Sequence, residues 1–146
     1  MAYPKKPVDW YVNNGWYLEL PGLVSPHFAT LSGLQKLSNN VDIVDAGTNN
    51  RYRFTSQIVD YGELTLTRTM DGSSDDVALR LLADACIETG LKVAGRLIKM
   101  HHRKEVFRLA FEGWRFSGYN FPDFDVNSED KFDMTYNATV DSFLYI

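Results

Sequence analysis

Three histidines, one cysteine and one dense acidic stretch are the residues of this chain whose types could support metal or nucleophilic chemistry. His101 and His102 are adjacent. Consecutive side chains on a strand point to opposite faces, so the pair can hold one metal only if the backbone turns there and His27 joins from elsewhere. No carboxylate-rich spacing supports that site, and a polar pair flanking a turn is the expected reading. Cys86 falls on the apolar stripe of a predicted helix, where a buried, inert thiol is expected and not a nucleophile. Asp123, Asp125, Glu129, Asp130 and Asp133 form the densest acidic stretch, but they lack the spacing of a calcium loop and read as a solvated segment. No glycine-rich loop follows a strand to open a helix, and no serine elbow occurs. The expectation is a protein that is not an enzyme and carries no metal or cofactor.

The remaining question is what such a chain builds. Its 146 residues fit one domain with a real core, and 45% hydrophobic with 23% charged residues is the composition of an ordinary globular protein. The formal charge is −4, with no Lys/Arg block, which disfavours sequence-independent nucleic-acid binding through phosphates. A single cysteine excludes an internal disulfide. No apolar run approaches the length of a membrane-spanning helix, and neither such a helix nor a signal peptide is expected.

Alternation is the strongest pattern. Over residues 131–146, Phe132, Met134, Tyr136, Ala138, Val140, Leu144 and Ile146 point one way, while Lys131, Asp133, Thr135, Asn137, Thr139 and Asp141 point the other. This predicts one very long strand, bending or splitting at Asn137 or Asp141, that seeks a partner along its whole length beyond the one domain. Residues 57–70 predict another strand, with Leu64, Leu66, Arg68 and Met70 on one face and Glu63, Thr65, Thr67 and Thr69 on the other. Further strands are predicted at 15–20, at 27–38 with Gly33 as a bulge or close approach, at 91–101 and at 105–116, with a loop at 118–124. Residues 39–56 read as a projecting hairpin or loop with a polar tip, and residues 1–14 as an apolar, proline-broken arm. One helix is predicted over 75–89. Ser73 or Ser74 would cap it and Gly90 would end it, with Ala78, Leu81, Leu82, Ala85 and Cys86 buried and Asp76, Arg80, Asp84 and Glu88 solvated. The fold class expected is mainly β (α+β), a sandwich or partial barrel of about seven strands with one inserted helix. Open strand edges must be covered, and a closed ring of identical subunits covers them by continuing each sheet into the next. A self-contained sandwich is the alternative.

The order of segments resembles the tail tube proteins of contractile-tailed bacteriophages. Residues 28–34 (FATLSGL) and 62–68 (GELTLTR) are similar to two strands of that family, followed by a helix, a closing segment at 113–122 and a long C-terminal strand. The loop before the second of these strands, Asn49-Asn50-Arg51-Tyr52-Arg53-Phe54, lacks the family's glycine and proline signature. The resemblance implies a homo-oligomer of stacked hexameric rings whose strands form a continuous inner β-barrel. It also implies sheath, baseplate and terminator proteins as partners, genomic DNA passing through the lumen without specific binding, and a place in the virion tail after assembly in the host cytoplasm. Tube proteins of type VI secretion and of extracellular contractile injection systems are related alternatives. A monomeric β-barrel binding a small ligand is the alternative from another class. On the tube reading, Tyr3, Trp10, Tyr11, Asn49, Asn50 and Arg51 are candidate contacts between subunits or rings. Glu63, Thr65, Thr67, Asp133, Thr135 and Asp141 are candidate lumen-facing residues, since a like-charged, hydroxyl-lined wall lets DNA slide.

Overall fold

The computed structural model describes residues 10–23, 28–45, 47 and 50–146. The fold is mainly β with one helix, as expected. The elements run β1 (Trp16–Glu19), β2 (Thr30–Ser32), β3 (Lys36–Asp45), β4 (Asn50–Tyr61), β5 (Leu64–Thr69), α1 (Ser74–Thr89), β6 (Val93–His101), β7 (Lys104–Asn120), β8 (Asp133–Thr139) and β9 (Ser142–Tyr145). Seven strands form one antiparallel sheet in the order β1-β6-β7-β8-β5-β2, with β9 also on β7, and the sheet does not close into a barrel. The other two strands, β3 and β4, pair with each other as a separate two-stranded ribbon reaching down to Lys36 and Tyr61.

The sheet folds over on itself along β7, whose first half pairs with β6 and β9 and whose second half pairs with β8. Two changes to the expected strand follow. The partner of the C-terminal alternation lies within the chain: β7, at 17 residues, runs beside both β8 and β9. Glu112 pairs with Ser142 and Arg115 with Thr139, so one register continues across the break at Val140 and Asp141. The buried face also changes parity at that break. Met134, Tyr136, Ala138 and Val140 are buried as expected, but Phe143 then packs on the core and Leu144 and Ile146 are 55% and 74% exposed. On β7 the buried set likewise steps from Leu109 and Phe111 to Trp114 and Phe116.

Both strands turn the same corner, and the change of parity marks an irregularity there: β7 slips its register against β6 between Phe111 and Trp114, as at a bulge, which re-aims the side chains beyond it. The pivot is Gly113. Its φ of +67° is left-handed, and a Cβ there would sit 2.1 Å from the Asp141 carboxylate. Edge-to-face aromatic pairs pack through the corner, Phe111 on Trp114 at 5.2 Å, Trp114 on Phe116 at 5.7 Å and Phe116 on Tyr136 at 5.8 Å between ring centres.

Three other expectations change. Residues 57–61 belong to β4 and not to the strand that follows, because Gly62 and Glu63 break the pairing before β5. The strand expected over 27–38 is reduced among the described residues to β2 and the first residues of β3, with Gly33 between them at φ +84°. β7 runs on to Asn120, through part of what was expected as loop.

The helix forms where expected and ends on Gly90 in the left-handed conformation, whose N–H reaches the Cys86 carbonyl. Its roll differs. Asp76, Leu79, Ala83 and Cys86 face inward at helical spacing, while Leu81, expected to be buried, is 61% exposed. Asp76, expected on the solvated stripe, is only 6% exposed. The cause sits on β5. Arg68 shares the buried face of Leu64 and Leu66, and its guanidinium requires a carboxylate there, which the helix supplies by turning Asp76 inward.

Candidate functional site

Among the described residues, those with chemical potential do not come together at one place. His102 and Arg103, at φ 49° and 63°, make the two-residue turn between β6 and β7. The backbone therefore turns at the histidine pair and brings the rings of His101 and His102 to 4.1 Å. Among the described residues, however, no group of three or more His, Cys, Asp or Glu side chains gathers for a metal, and His27 lies outside them. Cys86 is buried in the core. The acidic stretch forms a turned loop between β7 and β8. Asp125 accepts from the Asn127 N–H at 3.0 Å, and Ser128 accepts from the Asp130 N–H at 3.2 Å.

The residues expected to face a lumen sort into two places. Thr65 pairs with Asn137, Thr67 with Thr135 and Thr69 with Asp133 across β5 and β8, on the face away from Leu66 and Tyr136. Side chains join two of these rungs: the Thr69 hydroxyl donates to Asp133 at 2.5 Å, and Thr65 to Asn137 at 3.5 Å. Glu63 borders this row and accepts from the Ser117 hydroxyl at 3.3 Å. Asp141 instead sits at the corner, paired with the Lys92 ammonium at 3.0 Å. The result is a wall of hydroxyls, an amide and carboxylates over the middle of the folded sheet.

Opposite that wall, the helix is tied to the sheet by polar contacts. The Tyr119 hydroxyl donates to Asp84 at 2.8 Å, and the Arg115 guanidinium donates to the Cys86 carbonyl at 3.2 Å. The bond to Asp84 holds the Tyr119 phenol above its ordinary range, with burial adding to it, and burial first of all raises Tyr136. A phenol raised in the folded state contributes stability that is complete below about pH 10 and is lost as pH rises through the folded value. Alkaline titration of urea unfolding should show stability falling above about pH 10, and Tyr119→Phe should flatten that fall. An unchanged alkaline slope in the variant would remove Tyr119 from this role.

The candidate contact residues are only partly within view. Tyr3 and Asn49 lie outside the described residues. Asn50 begins β4 and is exposed, and Arg51 follows it on the ribbon. Trp10 and Tyr11 are exposed at the end of the arm that leads into β1. A residue that the sequence pattern does not single out holds that arm: Lys99, between Trp16 and Phe107 on the inner side of β6, is 9% exposed and donates to the carbonyls of Val12 and Asn14. A lysine inside a strand pattern signals nothing by itself, because its partners are backbone atoms of a segment without periodicity. Lys99→Met should lower stability by only about 1 kcal/mol, since water can reach the freed carbonyls, but should raise protease cleavage before Gly15 about tenfold. Equal cleavage in both proteins would mean that the arm is held by something else.

No protein-family model matches the chain, and no curated protein matches it in sequence. Solved structures do match in fold. A chain of the cryo-EM structure of the anti-feeding prophage cap, its tube-terminating cap, superposes with a TM-score of 0.76 at 13% identity, covering 98% of this chain and 95% of that one. A chain of the sheath–tube complex of an extracellular contractile injection system, PVC, gives 0.72 at 12% identity over 93% and 90%. Hcp1 from Flavobacterium johnsoniae gives 0.55 at 15% identity over 90% and 94%. The fold is the one shared by these three chains.

Proposed function

We propose that this chain is a structural subunit of the tube of a contractile tail or injection apparatus, and that it assembles with copies of itself into stacked hexameric rings inside a sheath. The observation that carries this is the match over nearly the full length of both chains to the anti-feeding prophage cap. The open sheet supports it physically: among the described residues β1 and β2 each pair on one side only, and such edges are covered when neighbouring subunits continue the sheet. Sheath, baseplate and terminator proteins are the further partners, and the home of the protein is a phage or phage-like particle assembled in the producing cell's cytoplasm. The greater likeness to the prophage and PVC chains than to Hcp1 favours such a particle over type VI secretion.

The lumen wall is assigned to the face bearing Thr65, Thr67, Asp133 and Thr135, with Glu63 at its border. Subunit and ring contacts are assigned to the arm with Trp10 and Tyr11 and to the β3–β4 ribbon around Asn50 and Arg51. In a phage particle the cargo is genomic DNA, which the acidic wall repels. Negative-stain microscopy of the purified protein should show rings and tubes without added cofactor, and a monodisperse monomer at high concentration would refute the proposal. Glu63→Lys with Asp133→Lys should leave assembly intact and slow DNA ejection about tenfold, because each ring adds new phosphate contacts. Normal ejection from well-formed tubes would take this face out of the lumen.

A further inference from the structure

The two ends of the 17-residue strand β7 carry surfaces that complement each other. At its start, the His102–Arg103 turn and Lys104 lie beside the arm, where Trp10 is 76% exposed. This end is basic and carries an aromatic knob. Trp10, Met100 and Arg103 line one groove there, and Tyr11 stacks on His101 at 5.0 Å. The Lys99 ammonium fixes the arm from below through two carbonyls, so the knob is presented on a held backbone.

At the other end of β7 the 121–132 loop is acidic, with Asp123, Asp125, Glu129 and Asp130 against Lys131 alone. It is also apolar. Phe124 is 80% exposed, and Phe121, Phe124 and Phe132 stack in a row at 6.2 and 5.4 Å, which holds the patch in shape. Phe124, Val126 and Phe132 line a groove whose rim carries Asp125 and Asp130.

From this we infer that the Trp10 end of one copy docks into the 121–132 groove of the next, with Arg103 and Lys104 facing Asp125 and Asp130. This rests on the proposed self-assembly and names the surfaces that make its head-to-tail contact. The contact is heterologous: each copy uses its basic end once and its acidic end once, so it propagates along a tube instead of stopping at a dimer. The aromatic centre supplies the buried area and the charged rim sets register and orientation.

Charge reversal tests it. Arg103→Glu with Lys104→Glu, or Asp125→Lys with Asp130→Lys, should each raise the protein concentration needed for tube growth about tenfold, and the chain carrying all four changes should return to within about threefold of the unaltered protein. All six side chains in play are exposed, and thermal melting of each dispersed variant checks that folding is intact. As a second measurement, Trp10→Cys chains mixed with Val126→Cys chains should form mixed disulfide-linked pairs under oxidation, since Cys86 is buried. A four-change chain worse than either parent, or crosslinks only between two Trp10→Cys chains, would overturn the inference. Tubes that form normally from every variant would overturn it while leaving the tube assignment standing. A wild-type chain that never assembles would defeat both.

Discussion

Arg68→Leu is expected to destabilise the dispersed subunit by about 3–5 kcal/mol, one of the two largest effects of a single substitution anticipated here. Arg68 is 1% exposed, and its Nε donates to Asp76 Oδ1 at 2.8 Å, with Nη2 reaching Ser73 at 3.2 Å and Asp71 at 3.4 Å. The second Asp76 oxygen accepts from the backbone N–H groups of Gly72 and Asp71 at 2.9 and 3.2 Å. One carboxylate thus joins β5, the turn after it and the first turn of the helix. Removing the guanidinium leaves that carboxylate buried without its cation, which is far worse than losing a surface pair. Arg68→Leu combined with Asp76→Leu should recover about half of the loss or more, because an apolar pair leaves no charge stranded. Urea unfolding of the unassembled chain reads both values. A loss below about 1 kcal/mol for the single variant would show that water or another group replaces the guanidinium. Asp71, exposed beside this network, is held below the ordinary carboxylate range, chiefly by its bonds from the Ser73 hydroxyl and backbone. Its contribution is therefore present above about pH 4 and is lost as pH falls through its folded value.

Gly33→Ala is the second, with an expected loss of about 3 kcal/mol or more. Gly33 separates β2 from the β3–β4 ribbon, and two independent demands meet there. Its φ of +84° is left-handed, and a Cβ would lie 2.1 Å from the carbonyl oxygen of Glu63. That oxygen is backbone, next to the start of β5, and cannot swing aside as a side chain could. Relief requires moving β5 or the base of the ribbon. Gly22→Ala is the control: its φ is +81°, but nothing lies within 4 Å of the added atom. It should cost only the conformational strain, about 1–2 kcal/mol. Equal losses in the two variants would mean that the close approach at Gly33 relaxes freely. If the ribbon contacts neighbouring subunits, Gly33→Ala should also impair assembly at concentrations where the monomer is still folded.

Much of the architecture could be read from local chemistry, because it depends on period and on caps. Alternation at Leu64, Leu66, Met134, Tyr136 and Ala138 is a property of neighbouring residues on one strand, and these side chains are buried as the pattern requires. The helix was legible at its end, since Gly90 takes a conformation that other residues resist, whereas Ser73 stands at the N-cap without a side-chain cap bond and its hydroxyl accepts from Arg68 instead. The row of Thr65, Thr67 and Thr69 was legible for the same reason as the leucines beside it. What local pattern could not supply was anything decided by an element distant in sequence. The parity change at Val140 exists because Gly113, on another strand, turns the corner, so the alternation that marks Leu144 and Ile146 as buried is misleading there. Asp76 looks like one more charge on a solvated stripe until Arg68 arrives from β5. The role of Lys99 depends on two carbonyls some 85 residues away. Period and capping are short-range and survive in the sequence. Which face meets the core, which charge finds a partner and which ends of a strand complement each other are fixed only when distant segments share space, because burial and pairing energies belong to the contact and not to either residue alone.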